Sequence, residues 1–225
     1  MRLSVVVVGL VLAGFISAVL LRSAELGQWP WLVSRASGVV AFGLLTGSMV
    51  LGLLVSTKAG DGILPRPAAF DLHQFMSVLV LTFTGVHVAS LLFDGFLAFT
   101  PIDLLVPFRG PYEPVWTGLG VLGGWAVAIV TASFWARKRI GQKNWRRLHY
   151  VSFLAYVMAF GHGVMAGTDS GRPVVVWVYL LSGAMVSALM TYRIGGVLLK
   201  PAAAKGRVRR EPPEGATNVP ARRAA

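Results

Sequence analysis

The sequence predicts an all-α membrane protein: a six-transmembrane-helix bundle, N-in and C-in, with a disordered basic C-terminal tail. Three observations carry this. First, 55% of the 225 residues are hydrophobic and only 13% are charged, against about 25% charged in soluble domains. Second, six apolar stretches reach the length of about 20 residues that a spanning helix needs. Third, Lys and Arg gather on alternate sides of those stretches, the pattern that membrane topology imposes.

The stretches fall at about 3–21, 36–56, 72–93, 115–136, 148–168 and 174–193. None carries Asp, Glu, Lys or Arg away from its ends. The first follows Arg2 and has the flank of a signal peptide. Its apolar run exceeds the usual 7–15 residues, and no A-x-A site follows. It is read as a retained helix.

With the N-terminus inside, the cytoplasmic face holds Arg2, Lys58, Arg66 and the run from Arg137 to Arg147. The basic residues from Arg193 onward join them. The outer face holds only Arg22, Arg35, Arg109 and Arg172. The net charge of +12 is therefore a topology signal and does not point to nucleic acid. The chain divides into a first helix and outer loop (1–32), a central transmembrane domain (33–196) and a basic tail (197–225). The tail is too polar to bury a core, and its cations suit anionic lipid.

The outer loop from Asp94 to Pro114 contains Pro101, Pro107, Pro111 and Pro114, and its run PIDLLVPF suits the membrane interface. Gly43 with Gly47, Gly120 with Gly124, and Gly163 with Gly167 form small-xxx-small pairs for close helix packing. Gly118, Gly120 and Gly123 spell G-x-G-x-x-G, the dinucleotide fingerprint. They lie inside a span with no preceding strand, so packing is the better reading.

The chemistry lies in four histidines, all of them in two spans: His73 and His87, then His149 and His162. An ionisable residue at membrane depth marks a functional site by default. Both spans start at the cytoplasmic face, so they run parallel. Their intervals of 14 and 13 residues are each about 20 Å at the helical rise of about 1.5 Å. His73 and His149 match in depth, as do His87 and His162. Two level pairs suit two haems, whose porphyrin leaves only axial positions for the protein. Zinc would stay half-coordinated by two histidines. With no Cys, thiolate ligation and covalent haem attachment are excluded. One angle resists: 13 ideal steps of about 100° leave His149 and His162 about 140° apart, so the helix must depart from ideality between them.

The H-x13-H and H-x12-H motifs resemble those of the ferric reductase-like transmembrane domain family, as do NWRRLHYVSF, SRASGVVAFGLL and VPFRGPYEPVWTGLG. That family includes the membrane part of ferric reductases and NADPH oxidases and the haem subunit of the periplasmic methionine-sulfoxide reductase system. The resemblance covers residues 33–195. It implies an inner haem b on His73 and His149, an outer one on His87 and His162, and electron transfer from a cytoplasmic donor to an outer acceptor.

Family oxidases continue into flavin and nicotinamide domains, whereas this chain ends in a short tail. Donors are then a separate flavoprotein reductase or quinol; acceptors are ferric chelate, oxygen or a periplasmic reductase. The location implied is the inner (plasma) membrane. Arg35, Arg109 and Arg172 outside, and Arg66, Arg146 and Arg147 inside, are candidate propionate partners. Rival readings are a non-redox haem carrier or sensor, a proton or metal transporter, and a quinol-oxidising cytochrome b.

Overall fold

The computed structural model describes residues 14, 17, 29–57, 59, 62 and 64–198. The expected first span, apart from Gly14 and Ser17, and nearly all of the expected tail lie outside the described residues. The described residues form helices and no strand: α1 (Trp29–Thr57), α2 (Arg66–Leu91), α3 (Pro101–Leu105), α4 (Pro114–Ile140), α5 (Gln142–His149), α6 (Val151–Ala166) and α7 (Pro173–Leu198). Five of these helical segments are long and apolar enough to cross a membrane, with α5 and α6 counted as one.

The helices outrun the apolar stretches because their ends continue into polar residues. Arg137, Lys138 and Arg139 form the last turn of α4. There they complement the negative end of the helix dipole. Prolines open α3, α4 and α7, where a missing N–H costs nothing and the fixed φ suits the first turn. A single residue, Gly141, joins α4 to α5 with φ +81°, a left-handed conformation that glycine adopts without steric cost.

α1 is the central helix: it packs along α2 and also touches α6 and α7, while α4 packs along α6. Its buried residues, including Val33, Ser37, Ala41, Leu45, Met49 and Leu53, recur at four-residue intervals. Phe42 on α1 meets Tyr156 at 5.8 Å, Phe160 at 6.0 Å and Tyr179 at 5.2 Å between ring centres. In lipid, such packing replaces the hydrophobic drive of soluble cores. Three buried hydroxyls are satisfied within their own helices: Ser37 donates to Val33 O at 2.5 Å, Thr46 to Phe42 O at 3.0 Å and Ser133 to Val130 O at 2.6 Å. No water is present at that depth to do so.

Two expectations need adjustment. The fifth stretch is not one continuous helix, because α5 and α6 are separated at Tyr150. The outer loop is more than an interfacial strip: Phe99 and Leu104 are buried. Ala98, Phe108 and Glu113 have φ of 45°, 66° and 40°, a region most side chains avoid. Phe108 is held there against Gly118, where a Cβ would collide with its ring and backbone.

Candidate functional site

α1 and α2 lie antiparallel and meet in a repeating register. His87 Nδ1 lies 2.8 Å from Ser34 O, and His73 Nδ1 lies 2.9 Å from Ser48 O. The two serines are 14 residues apart, and so are the two histidines. Four residues beyond each serine is a glycine that makes room for the ring. A Cβ on Gly38 would come within 3.0 Å of His87 Nδ1, and one on Gly52 within 3.4 Å of His73 Cε1. The serine hydroxyls also approach Nδ1, at 3.2 Å for Ser34 and 3.1 Å for Ser48.

α4 does the same for His162. Its Nδ1 lies 3.0 Å from Trp116 O, and Gly120, one turn on, lies against the ring. A Cβ there would fall 2.8 Å from Nδ1. His149, the last residue of α5, is supported differently. Its ring stacks on Trp145 at 5.3 Å and 28°.

The helix between His149 and His162 departs from ideality at Tyr150. Tyr150 N–H donates to Arg147 O at 3.2 Å, and Phe153 N–H to Tyr150 O at 3.1 Å. These are i to i+3 bonds, which wind the chain at three residues per turn. Ideal α-helical phase therefore does not carry across from His149 to His162.

The result is two histidine pairs. His73 faces His149 with ring centres 6.1 Å apart and planes at 74°. His87 faces His162 at 6.1 Å and 72°. The order of the pairs makes α2 and α5–α6 parallel. An imidazole nitrogen binds a metal at about 2.0–2.1 Å and lies about 1.1 Å from its ring centre, so two rings sharing one ion stand about 6.2–6.4 Å apart. Both pairs come within a few tenths of an ångström of that spacing. In three of the four rings, Nδ1–H donated to a carbonyl leaves the Nε2 lone pair free, the tautomer a metal requires.

Each pair offers two nitrogens, and among the described residues no group of three or more His, Cys, Asp or Glu gathers. Haem fits such a donor set, because its macrocycle fills the other four positions. At the His87–His162 pair a cavity of about 440 Å³ is lined by His87, His162, Gly38, Phe42, Arg35 and Asp169, among others. Beside the inner pair, the Trp145 Nε1–H is buried with no hydrogen-bond partner among the described residues.

The cationic candidates separate. Arg35 lines the outer cavity and grips Asp169 with both arms of its guanidinium, Nε to Oδ2 at 2.6 Å. Arg172 joins the same carboxylate at 2.7 Å but is 71% exposed. Arg109 lies 3.8 Å from Asp103. Neither Arg109 nor Arg172 lines the cavity. Arg146 and Arg147 are exposed on α5, and Arg66 opens α2. Between the histidine levels, Tyr156 and Phe160 pack on Phe42, and Phe83 joins Ala41 and Leu79.

Sequence reasoning missed the carbonyls of Ser34, Ser48 and Trp116, the clearance at Gly38 and Gly52, and Trp145. A signal existed for some of them. S-x3-G occurs at Ser34–Gly38 and again at Ser48–Gly52, on the same 14-residue interval as His73 and His87. Trp145 lies one helical turn before His149, a neighbouring position on a helix face. The Trp116 carbonyl carries no side-chain signal. No family model matches the chain, and neither a curated protein nor a solved structure matches it.

Proposed function

We propose that the chain is a ferric reductase-like electron carrier of the inner (plasma) membrane, with six spans, N-in and C-in, holding two b-type haems. His73 and His149 hold the inner one, and His87 and His162 the outer one. The observation that carries this reading is the pairing of all four histidines at the spacing of shared axial ligands. Haem supplies reversible one-electron chemistry when bound.

The chain's own residues do the rest. Nδ1–H bonds to Ser34, Ser48 and Trp116 carbonyls fix ring orientation and raise ligand basicity. Apolar side chains such as Phe42, Leu45 and Val80 line the cavity at His87 and His162. Arg35 and Asp169 place a rigid charged pair at its edge. The donor in this reading is a separate flavoprotein or quinol at the cytoplasmic face. The acceptor is a ferric chelate, oxygen or a periplasmic reductase.

The test is an optical spectrum with pyridine haemochrome quantitation on purified protein. Wild type is expected to carry two non-covalent haems b with a low-spin, reducible spectrum. His87→Ala or His162→Ala should lose the outer haem and keep much of the inner one. A spectrum unchanged when all four histidines are replaced by Ala refutes the assignment.

A further inference from the structure

Among the described residues, three histidines lean on the backbone of a neighbouring helix, and one does not. His73 and His87 use α1, and His162 uses α4. His149 is carried by the short helix α5, none of whose residues is buried. Lys143, Asn144, Arg146 and Arg147 on that helix are exposed. A ligand on so loosely packed an element needs another means of aim.

An aromatic train supplies it. His149 stacks on Trp145 at 5.3 Å. Trp145 meets Phe134 of α4 edge-on at 6.4 Å. Phe134 meets Phe70 of α2 at 6.2 Å and lies under the guanidinium of Arg137, 3.8 Å from its ring centre. The left-handed Gly141 folds α5 back so that Trp145 reaches α4. Each such ring pair carries only modest energy, but stacking at a small interplanar angle fixes a ring's plane.

We infer that Trp145 is the positioning residue for His149, doing by ring stacking what a backbone carbonyl does for each of the other three histidines. The inference rests on the haem reading above. The face of the indole is the operative part, so Phe at 145 serves and an aliphatic side chain does not. The consequence is asymmetry: the inner site has one carbonyl-anchored ligand and one stacked ligand, while the outer site has two carbonyl-anchored ligands.

The test uses single-site backgrounds in the full chain. His87→Ala leaves the inner site alone, and His73→Ala leaves the outer one. Trp145→Leu and Trp145→Phe are made in each, and haemin is titrated against purified protein. Low-temperature EPR of the ferric form reports ligand-plane order. In the His87→Ala background, Trp145→Leu is expected to weaken haem binding about 10–100-fold, the usual cost of losing a ligand's outer support. It should also broaden the low-spin signal. Trp145→Phe should restore both, and the His73→Ala background should not respond. Equal loss in both backgrounds would mean general destabilisation and overturn the inference. No loss in either, or Phe behaving as Leu, overturns it too. Wild-type protein that binds no haem overturns the haem reading itself, a result separate from these.

Discussion

Gly120→Ala is the sharpest single test of the outer site. A Cβ at position 120 would lie 2.8 Å from His162 Nδ1 and 2.9 Å from both Cε1 and Cγ. Ordinary contact starts at 3.4 Å, so the imidazole must retreat by about half an ångström. The retreat stretches the bond to Trp116 O, now 3.0 Å, and moves the ring that faces His87. Overpacking of this kind costs about 1–3 kcal/mol, which is about 5- to 140-fold in affinity at about 1.4 kcal/mol per decade. The structure also sets an order. Gly38→Ala comes next, at 3.0 Å from His87 Nδ1; Gly52→Ala follows, at 3.4 Å from His73 Cε1; Gly43→Ala meets nothing within 4 Å. Haemin titration of the four variants reads that order, with loss at Gly120 and Gly38 confined to the outer site. Equal effects across the series, or a greater loss at Gly52 than at Gly120, would refute the geometry.

Ser34→Ala and Ser48→Ala should cost no more than about 0.5–1.5 kcal/mol of haem affinity each, because alanine keeps the carbonyl that accepts Nδ1–H; a larger loss in haemin titration would make the hydroxyl the true partner. For orientation, Lys143→Cys in whole cells should be protected from an impermeant thiol reagent, and Thr168→Cys should react. The reverse pattern inverts the topology. The outer loop should respond to acid through Asp103, whose carboxylate accepts from the Thr100 hydroxyl at 2.5 Å and the Thr100 N–H at 3.0 Å. These bonds, the hydroxyl first, with Arg109 assisting, hold it below the usual carboxylate range. A depressed folded value means the contribution is complete above the unfolded value near 4 and is lost as pH falls through the folded one. Amide protection over 94–113, the measured rate corrected for intrinsic exchange at each pH, should therefore be lower at pH 3 than at pH 7 in wild type and unchanged between them in Asp103→Asn; equal protection in wild type counts against the cap.

The histidine pairs were legible because membrane depth is a one-dimensional quantity. Spacing along parallel helices reads it directly, and His73, His87, His149 and His162 have few polar rivals inside the spans. Rotation about the helix axis was not legible. The i to i+3 bonds around Tyr150 change it locally, and nothing in the run LHYVSF announces them. Backbone acceptors such as Trp116 O are invisible for a plainer reason, since every residue has a carbonyl. Gly120 was legible only as a packing residue, because a sequence shows that a side chain is missing but not what fills the space. The loop from Asp94 to Pro114 was underestimated because its run PIDLLVPF was assigned to the lipid interface. Leu104 of that run instead lines the cavity at His87 and His162, with Leu97 and Phe99 before it.

The shared 14-residue interval of α1 and α2 makes the chain a vernier, with two marks on each scale that coincide together or not at all. One residue inserted between Ser34 and Ser48 keeps one mark in place. It swings the other away by about 100° and shifts it by about 1.5 Å. A matching insertion between His73 and His87 restores the match in depth on those two helices but leaves each displaced mark rotated, and His149 and His162 must then move apart as well. The distance between the levels can change only if three helices change length at once. A designer who wants the two sites closer or further apart therefore cannot tune that gap residue by residue, whereas the loops and the lipid-facing positions remain free to vary one substitution at a time.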